Sequence, residues 1–292
     1  MKLTLHIGMP SAGGIAIQNY LFSMGTAVSP FVSARGHPEL LMLGGTPRAL
    51  AEYGKRFGPV TPEKIQSVKD SLKSAQTDHV VLSSMMLYDS ADSEFVGNLC
   101  LELDDIFEEM QVVIYFRHQA DDFPQLVAQR VKAGMKDWAH IESIPDDMYR
   151  YDQICELWEQ DVDLVVRDFG RCKGDVIGDF CNAVGLPAPD EMPLLPVSPS
   201  MDEAALRLMV MINGCADPAK DMLRRQIANQ LESLRLSDQA YSISPQLELE
   251  IVERFEAGNR LISAEYFGGA PLSRESKVPL VPHDLPKARN AH

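Results

Sequence analysis

At 292 residues, 45% of them hydrophobic, the chain is long enough for one large α/β domain or two small ones and can bury a proper core. A formal charge of −15 argues against a broad nucleic-acid footprint, which needs clustered Lys and Arg to replace condensed counterions, and against docking on anionic lipid. The five cysteines, Cys100, Cys155, Cys172, Cys181 and Cys215, have no CxxC spacing and are odd in number, which suggests neither a zinc site nor a full disulfide framework. Reduced thiols in a cytosol fit best. The N-terminus runs straight into Lys2-Leu3-Thr4-Leu5 without an apolar leader, and no apolar run is long enough to span a bilayer. The expectation is a soluble, unexported, cytoplasmic protein with no transmembrane segment.

Leu3–Ile7 reads as a buried strand, followed by a turn holding Gly13 and Gly14. Ile15–Phe22 then continues as a helix with Ile15, Ile17, Leu21 and Phe22 available for its inner face, up to a stop at Gly25. Thr26–Arg48 carries several Gly and Pro punctuators and is expected to be mostly irregular. Pro62 opens a helix through about Ala75, because Pro suits the first helical turn. "HVVLSS", His79–Ser84, is a short apolar strand ending in two hydroxyls, and a helix follows over about Ser93–Met110. "QVVIYFR" supplies another buried strand ending in Arg117, and helical spacing resumes over Asp122–Ala133. "VDLVVRDF" is a further strand, and "GDVIGDFCNAVGL" a helix stopped at Gly185. Pro187–Pro199 reads as a linker to a helical C-terminal region over Met201–Asn213, Pro218–Arg235 and Pro245–Phe267. Residues 1–270 are thus taken as a single α/β domain, and 271–292 as a polar, Pro-rich tail expected to be flexible and without structure.

Alternating strands and helices imply a parallel sheet between two helical layers, because parallel neighbours need crossover connections. Ligands of such sheets sit outside the carboxyl ends of the strands. Those ends carry Gly8–Ile15, Ser83-Ser84 and Arg117. A strand that feeds a helix through small residues aims unpaired backbone N–H groups at an anion, and the helix dipole favours negative charge there. Arginine at a strand end adds a rigid fork of donors for a second phosphate, and Gln125 stands one to two helical turns later. The loop differs from the G-x-x-x-x-G-K-[ST] phosphate loop in having no lysine.

"LHIGMPSAGGIAIQNYL" resembles the 5′-phosphosulfate loop of the bacterial sulfotransferases that use 3′-phosphoadenosine 5′-phosphosulfate, and "VVIYFRHQADDFPQLVAQRVKAG" is similar to their 3′-phosphate segment. "VVRDFGRCKGDVIGDFCNAVGL" and "NRLISAEYFG" resemble later segments of the same family, so the likeness spans about residues 3–268. The resemblance implies a P-loop-like sulfotransferase fold, three-layer α/β/α with a helical C-terminal region. It also implies binding of 3′-phosphoadenosine 5′-phosphosulfate or 3′-phosphoadenosine 5′-phosphate, without metal, by Gly8, Ser11, Ala12, Gly13, Gly14, Ile15, Arg117 and Gln125. The reaction would be sulfuryl transfer to a small-molecule or carbohydrate hydroxyl.

The loop departs from the family pattern. Ser11 stands where the family has Lys, Ala12-Gly13-Gly14-Ile15 where it has Thr-Gly-Thr-Thr, Gln125 where it has Ser, and Met85 where a Glu often follows two serines. What remains is a nest of backbone N–H groups from Ser11 through Ile15, which needs no side chain to hold a phosphate. The readings left open are an active sulfotransferase, a binding or assembly protein of the same fold without catalysis, and a transferase with another phosphate-ester donor. An active enzyme would bring a replacement cation to the cleft, with Arg35, Arg48, Lys55 and Arg167 as candidates. The alternative for Arg117 is a structural ion pair with Asp121 or Asp122. His37 is a candidate base or an exposed loop histidine with no role, His118 is expected to point away, and Ser84 either touches substrate or, as favoured, caps the next helix.

Overall fold

The computed structural model describes residues 1–31, 36–189, 201–215, 221–234, 236–237 and 241–275. The chain opens with β1 (Lys2–Gly8), α1 (Gly14–Met24), α2 (Leu40–Gly44), α3 (Pro47–Phe57), α4 (Pro62–Lys73) and β2 (His79–Ser83). It continues through α5 (Met86–Ser90), α6 (Ser93–Asp104), β3 (Glu109–Phe116), α7 (Gln119–Lys132), α8 (Trp138–Ile141), α9 (Asp146–Tyr149) and α10 (Tyr151–Glu159). The last elements are β4 (Asp163–Asp168), α11 (Phe169–Cys172), α12 (Val176–Val184), α13 (Glu203–Cys215), α14 (Asp221–Ser233) and α15 (Pro245–Tyr266).

All strand pairs are parallel, in the order β2-β1-β3-β4. Each strand is an apolar run because both faces of the sheet are covered. Adjacent residues of β3 mark the two faces. Tyr115 donates to Asp179 on α12 at 2.7 Å, whereas Phe116 stacks on Tyr151 of α10 at 4.1 Å between ring centres. The expected α/β/α layering and helical C-terminal region are therefore present. From β1 the chain goes to β2 on one side and then crosses to β3 on the other, so the sheet switches direction at β1 and leaves a crevice at the carboxyl ends of β1 and β3.

Several expectations are corrected. Ile15 and Phe22 of α1 are 64% and 45% exposed, and the buried residues are Gly14, Ile17, Gln18, Tyr20 and Leu21. Ile15 and Ile17 lie about 200° apart around a helix and cannot share one face. The stretch expected to be irregular contains α2, all five of whose residues are buried, and ends in α3, started by a Thr46 cap and Pro47. The helix expected over 93–110 stops at Asp104, because Glu109 already belongs to β3. The helices α8, α9 and α10 fill a stretch to which no element was assigned. Residues 190–199 of the expected linker, the start of the helix expected at Pro218, and 276–292 of the tail lie outside the described residues. Among the described residues no helix is long and apolar enough to cross a membrane.

Candidate functional site

The loop after β1 turns through three positive φ angles, Gly8 at 124°, Ser11 at 70° and Gly13 at 81°, and Gly13 is the N-cap of α1. The Ala12 N–H bonds to the Met9 carbonyl at 3.3 Å, so the expected row of free donors is interrupted there. Among the described residues the N–H groups of Ser11, Gly13, Gly14 and Ile15 meet no protein acceptor. The two glycines are closely approached by side chains. A Cβ at Gly13 would lie 2.8 Å from Val176 Cγ2, and one at Gly14 would lie 2.5 Å from Met85 Sδ. Their smallness is thus explained by packing as well as by room for an anion.

Ser11 does not offer its hydroxyl to a ligand. Its Oγ contacts both Asp122 Oδ1 and the Pro10 carbonyl. Asp122 is 1% exposed and also accepts from the Tyr149 hydroxyl at 2.7 Å. Burial pushes its carboxyl above the usual carboxylate range, against the lowering influence of the Ser11 and Tyr149 hydroxyls and of Arg117. A single hydroxyl proton cannot serve two acceptors, and a proton on Asp122 would make both Ser11 contacts hydrogen bonds.

Arg117 follows β3, and the Tyr151 hydroxyl holds its carbonyl at 2.7 Å. The guanidinium reaches back to the Ser11 carbonyl at 3.5 Å and lies 5.7 Å from the centre of the Phe169 ring. The expected alternative partners are otherwise engaged. Asp121 pairs with Arg274 at 3.1 Å, and Asp122 holds Ser11 and Tyr149. Arg117 instead forms an ion pair with Glu275 at 2.6 Å, and Lys173, two residues before the Asp175 cap of α12, holds the other Glu275 oxygen. Burial would raise the Glu275 carboxyl, but Lys173 and Arg117 more than offset this and hold it below the usual range. Neither Lys173 nor Glu275 was anticipated from the sequence. Residues 271–275, expected to begin the flexible tail, have no regular secondary structure but pack here.

Gln125 is half-buried on α7, and no hydrogen bond joins it to the loop or to Arg117 among the described residues. His37 is 4% exposed, not an exposed loop residue. Its Nδ1 accepts from Ser83 N–H at 2.9 Å, which leaves the proton on Nε2, 3.2 Å from the Phe31 carbonyl. It therefore ties its loop to β2, and burial lowers its pKa. His118 caps α7 by accepting from Ala120 N–H at 3.2 Å, and His6 bonds Ser83 Oγ at 2.8 Å inside the core. Ser84 does not cap α5, whose N-cap is Met85 without a side-chain bond.

Of the candidate cations, Arg167 is held in a fork by Asp179 and Arg35 lies outside the described residues. Arg48 and Lys55 line a cleft of about 500 Å³ that reaches Pro10 of the loop, together with Met85, Met86, Asp89 and Ser90. Among the described residues no group of three His, Cys, Asp or Glu is placed to hold a metal ion.

No protein-family model and no curated protein matches this chain. Solved structures do. The sulfotransferase domain of the Synechococcus PCC 7002 olefin synthase is similar with 15% identity and a TM-score of 0.41, over 88% of this chain and 94% of that one. A sulfotransferase from Alicyclobacillus acidocaldarius is similar with 12% identity and a TM-score of 0.43, over 78% and 95% of the two chains. The sulfotransferase domain of the curacin biosynthetic pathway gives 10%, 0.38, 88% and 97%.

Proposed function

We propose that the crevice between β1 and β3 binds a phosphoadenosine-type nucleotide, and that the protein transfers a sulfuryl group from 3′-phosphoadenosine 5′-phosphosulfate to a hydroxyl acceptor such as a carbohydrate. The observation that carries this reading is the meeting, at one edge of the sheet, of two sets of anion-binding groups. The unpaired N–H groups of Ser11, Gly13, Gly14 and Ile15 form one, and the cations Arg117 and Lys173 form the other. The sequence resemblance assigns the first to the 5′ side of the nucleotide and Arg117 to the 3′-phosphate. When bound, the nucleotide would supply the activated sulfuryl group. The chain's own part is positioning and charge stabilisation, with backbone donors in place of the missing lysine. The acceptor approaches from the cleft beside Pro10, where Arg48 and Lys55 are the nearest candidates for the replacement cation.

A second reading, nucleotide binding without turnover, has one observation in its favour. Met85 packs on Gly14 where a carboxylate would serve an acceptor, His37 and His118 are committed to structural bonds, and His6, bonded to Ser83 through Nδ1 with Nε2 unpartnered, is fully buried. Titration calorimetry with 3′-phosphoadenosine 5′-phosphate, at low salt and beside ATP, tests the shared part of both readings. Saturable binding of the former alone is expected. Arg117→Ala should weaken it by about 10- to 100-fold, the worth of one hydrogen bond to a charged group. Equal affinity in wild type and Arg117→Ala would remove Arg117 from the site. Turnover of the donor with a panel of hydroxyl acceptors then separates the two readings.

A further inference from the structure

The chain leaves α15 through Gly268 and Gly269, both at positive φ, and Pro271–Glu275 runs back over the carboxyl edge of the sheet. The segment is anchored along its length. Leu272 is 5% exposed, Ser273 N–H donates to Asp168 at 2.9 Å, and Glu275 N–H donates to Asp121 at 2.7 Å. Arg274 pairs with Asp121 at 3.1 Å and with Glu248 at 2.6 Å. Gly170 leaves room for it, since a Cβ there would lie 2.8 Å from the Ser273 carbonyl oxygen. These contacts deliver the Glu275 carboxylate between Arg117 and Lys173.

We propose that Arg117 and Lys173 form a subsite for a phosphate monoester, and that Glu275 is its internal occupant, a carboxylate that the C-terminal strap inserts and a ligand must displace. The proposal rests on the nucleotide-binding reading for the ligand's identity, but not for the existence of the subsite.

Two observations distinguish a stand-in from a purely structural ion pair. The first is charge. One carboxylate faces two cations, leaving a positive charge over, whereas a phosphate monoester near −2 matches both. Of the neighbouring carboxylates, Asp121 is paired with Arg274, Asp168 is paired with Arg171 at 3.0 Å, and Asp122 holds the Ser11 and Tyr149 hydroxyls while burial raises its carboxyl above the usual range. The second is fit. Arg117 Nε and Glu275 Oε1 approach to 2.6 Å, yet neither atom completes a hydrogen bond and both are buried. The carboxylate puts one oxygen on each cation but meets Arg117 Nε out of line. A phosphate, with three terminal oxygens and no tether, can present a lone pair to each.

A strap that fills the site most of the time lowers apparent affinity in proportion to the open fraction. The test combines Glu275→Gln, which removes the internal charge, with Gly170→Ala, which displaces the strap without touching Arg117, Lys173 or Glu275. Binding of 3′-phosphoadenosine 5′-phosphate and of inorganic phosphate is measured by calorimetry, and exchange of the Ser273 and Glu275 amides by mass spectrometry. Both variants are expected to bind about 10-fold or more tightly than wild type. Saturating wild type with ligand should expose the strap amides, and Lys173→Ala should abolish the gain. Equal affinities with strap amides still protected at saturation would overturn the strap proposal and leave the nucleotide reading standing. A variant gain for phosphate, lost in Lys173→Ala, with the nucleotide binding no better than phosphate, would support the subsite and overturn the nucleotide reading. Binding of neither probe by any folded variant would overturn both.

Discussion

Asp122 joins two hydroxyls from distant parts of the sequence, Ser11 in the loop after β1 and Tyr149 before α10, inside a site where it is almost wholly shielded from water. Its replacement separates charge from hydrogen bonding. Asp122→Ala would strand both hydroxyls and leave a cavity, and should cost about 2–4 kcal/mol in chemical denaturation. Asp122→Asn keeps one acceptor oxygen, for the Tyr149 hydroxyl, and turns an amide N–H toward Ser11 Oγ, which can accept it while donating to the Pro10 carbonyl. It also discards a carboxylate whose charged form burial disfavours, so its cost should stay at about 1 kcal/mol. Equal losses in the two variants would mean that the charge itself holds the loop. Residues of this kind set the limit of what the sequence discloses about the site. Gly8–Ile15 and Arg117 were legible because a strand-to-helix turn and a strand-end arginine are local patterns. Their partners were not, because Asp122, Lys173 and Glu275 reach them only through the fold. For Lys173 the register of the sheet supplies the link: Phe116 pairs with Asp168, so whatever follows β4 emerges beside Arg117.

Elements were legible where a run or a cap stands alone in sequence. The strands are short apolar runs, and Pro62 and Pro245, after Thr61 and Ser244 caps, open α4 and α15 where expected. The same Thr-Pro signal opens α3 at Thr46-Pro47 and was masked by the glycines around it. Those glycines include one that packing demands. The Cβ of a residue at Gly44 would collide with the Cδ2–Cε2 edge of the Phe95 ring, which wedges α2 against α6. Gly44→Ala should therefore cost about 2 kcal/mol or more through overpacking, although alanine is the better helix former. Phe95→Leu should relieve part of it, so that a double-mutant cycle in urea gives a favourable coupling. Simple additivity would show that the helices shift apart instead.

At the scale of the whole molecule, the acid side of the stability profile follows from histidines that the fold keeps neutral. Burial lowers His6 to about 3 and His118 to about 4, from about 6.5 in an unfolded chain. Between those limits the unfolded state takes up protons that the folded state refuses, so the histidines' contribution to stability falls as pH drops below about 6.5. Each such histidine contributes a slope approaching 1.4 kcal/mol per pH unit. An opposing trend comes from the formal charge of −15, whose self-repulsion weakens as carboxylates protonate, and Asp122, with its raised pKa, adds to that opposition. The total profile mixes these influences, but a difference between two proteins does not. His6→Asn removes one titrating ring and leaves the carboxylates unchanged. Guanidinium unfolding at pH 7.5, 6 and 5 should place the variant below wild type at pH 7.5, because the ring's packing and its Ser83 bond are altered. The gap should then narrow by about 1 kcal/mol or more by pH 5. A gap that stays constant across that range would mean that His6 takes up its proton equally in the folded and unfolded chains, and that the core around Tyr115 and Phe180 admits a charge.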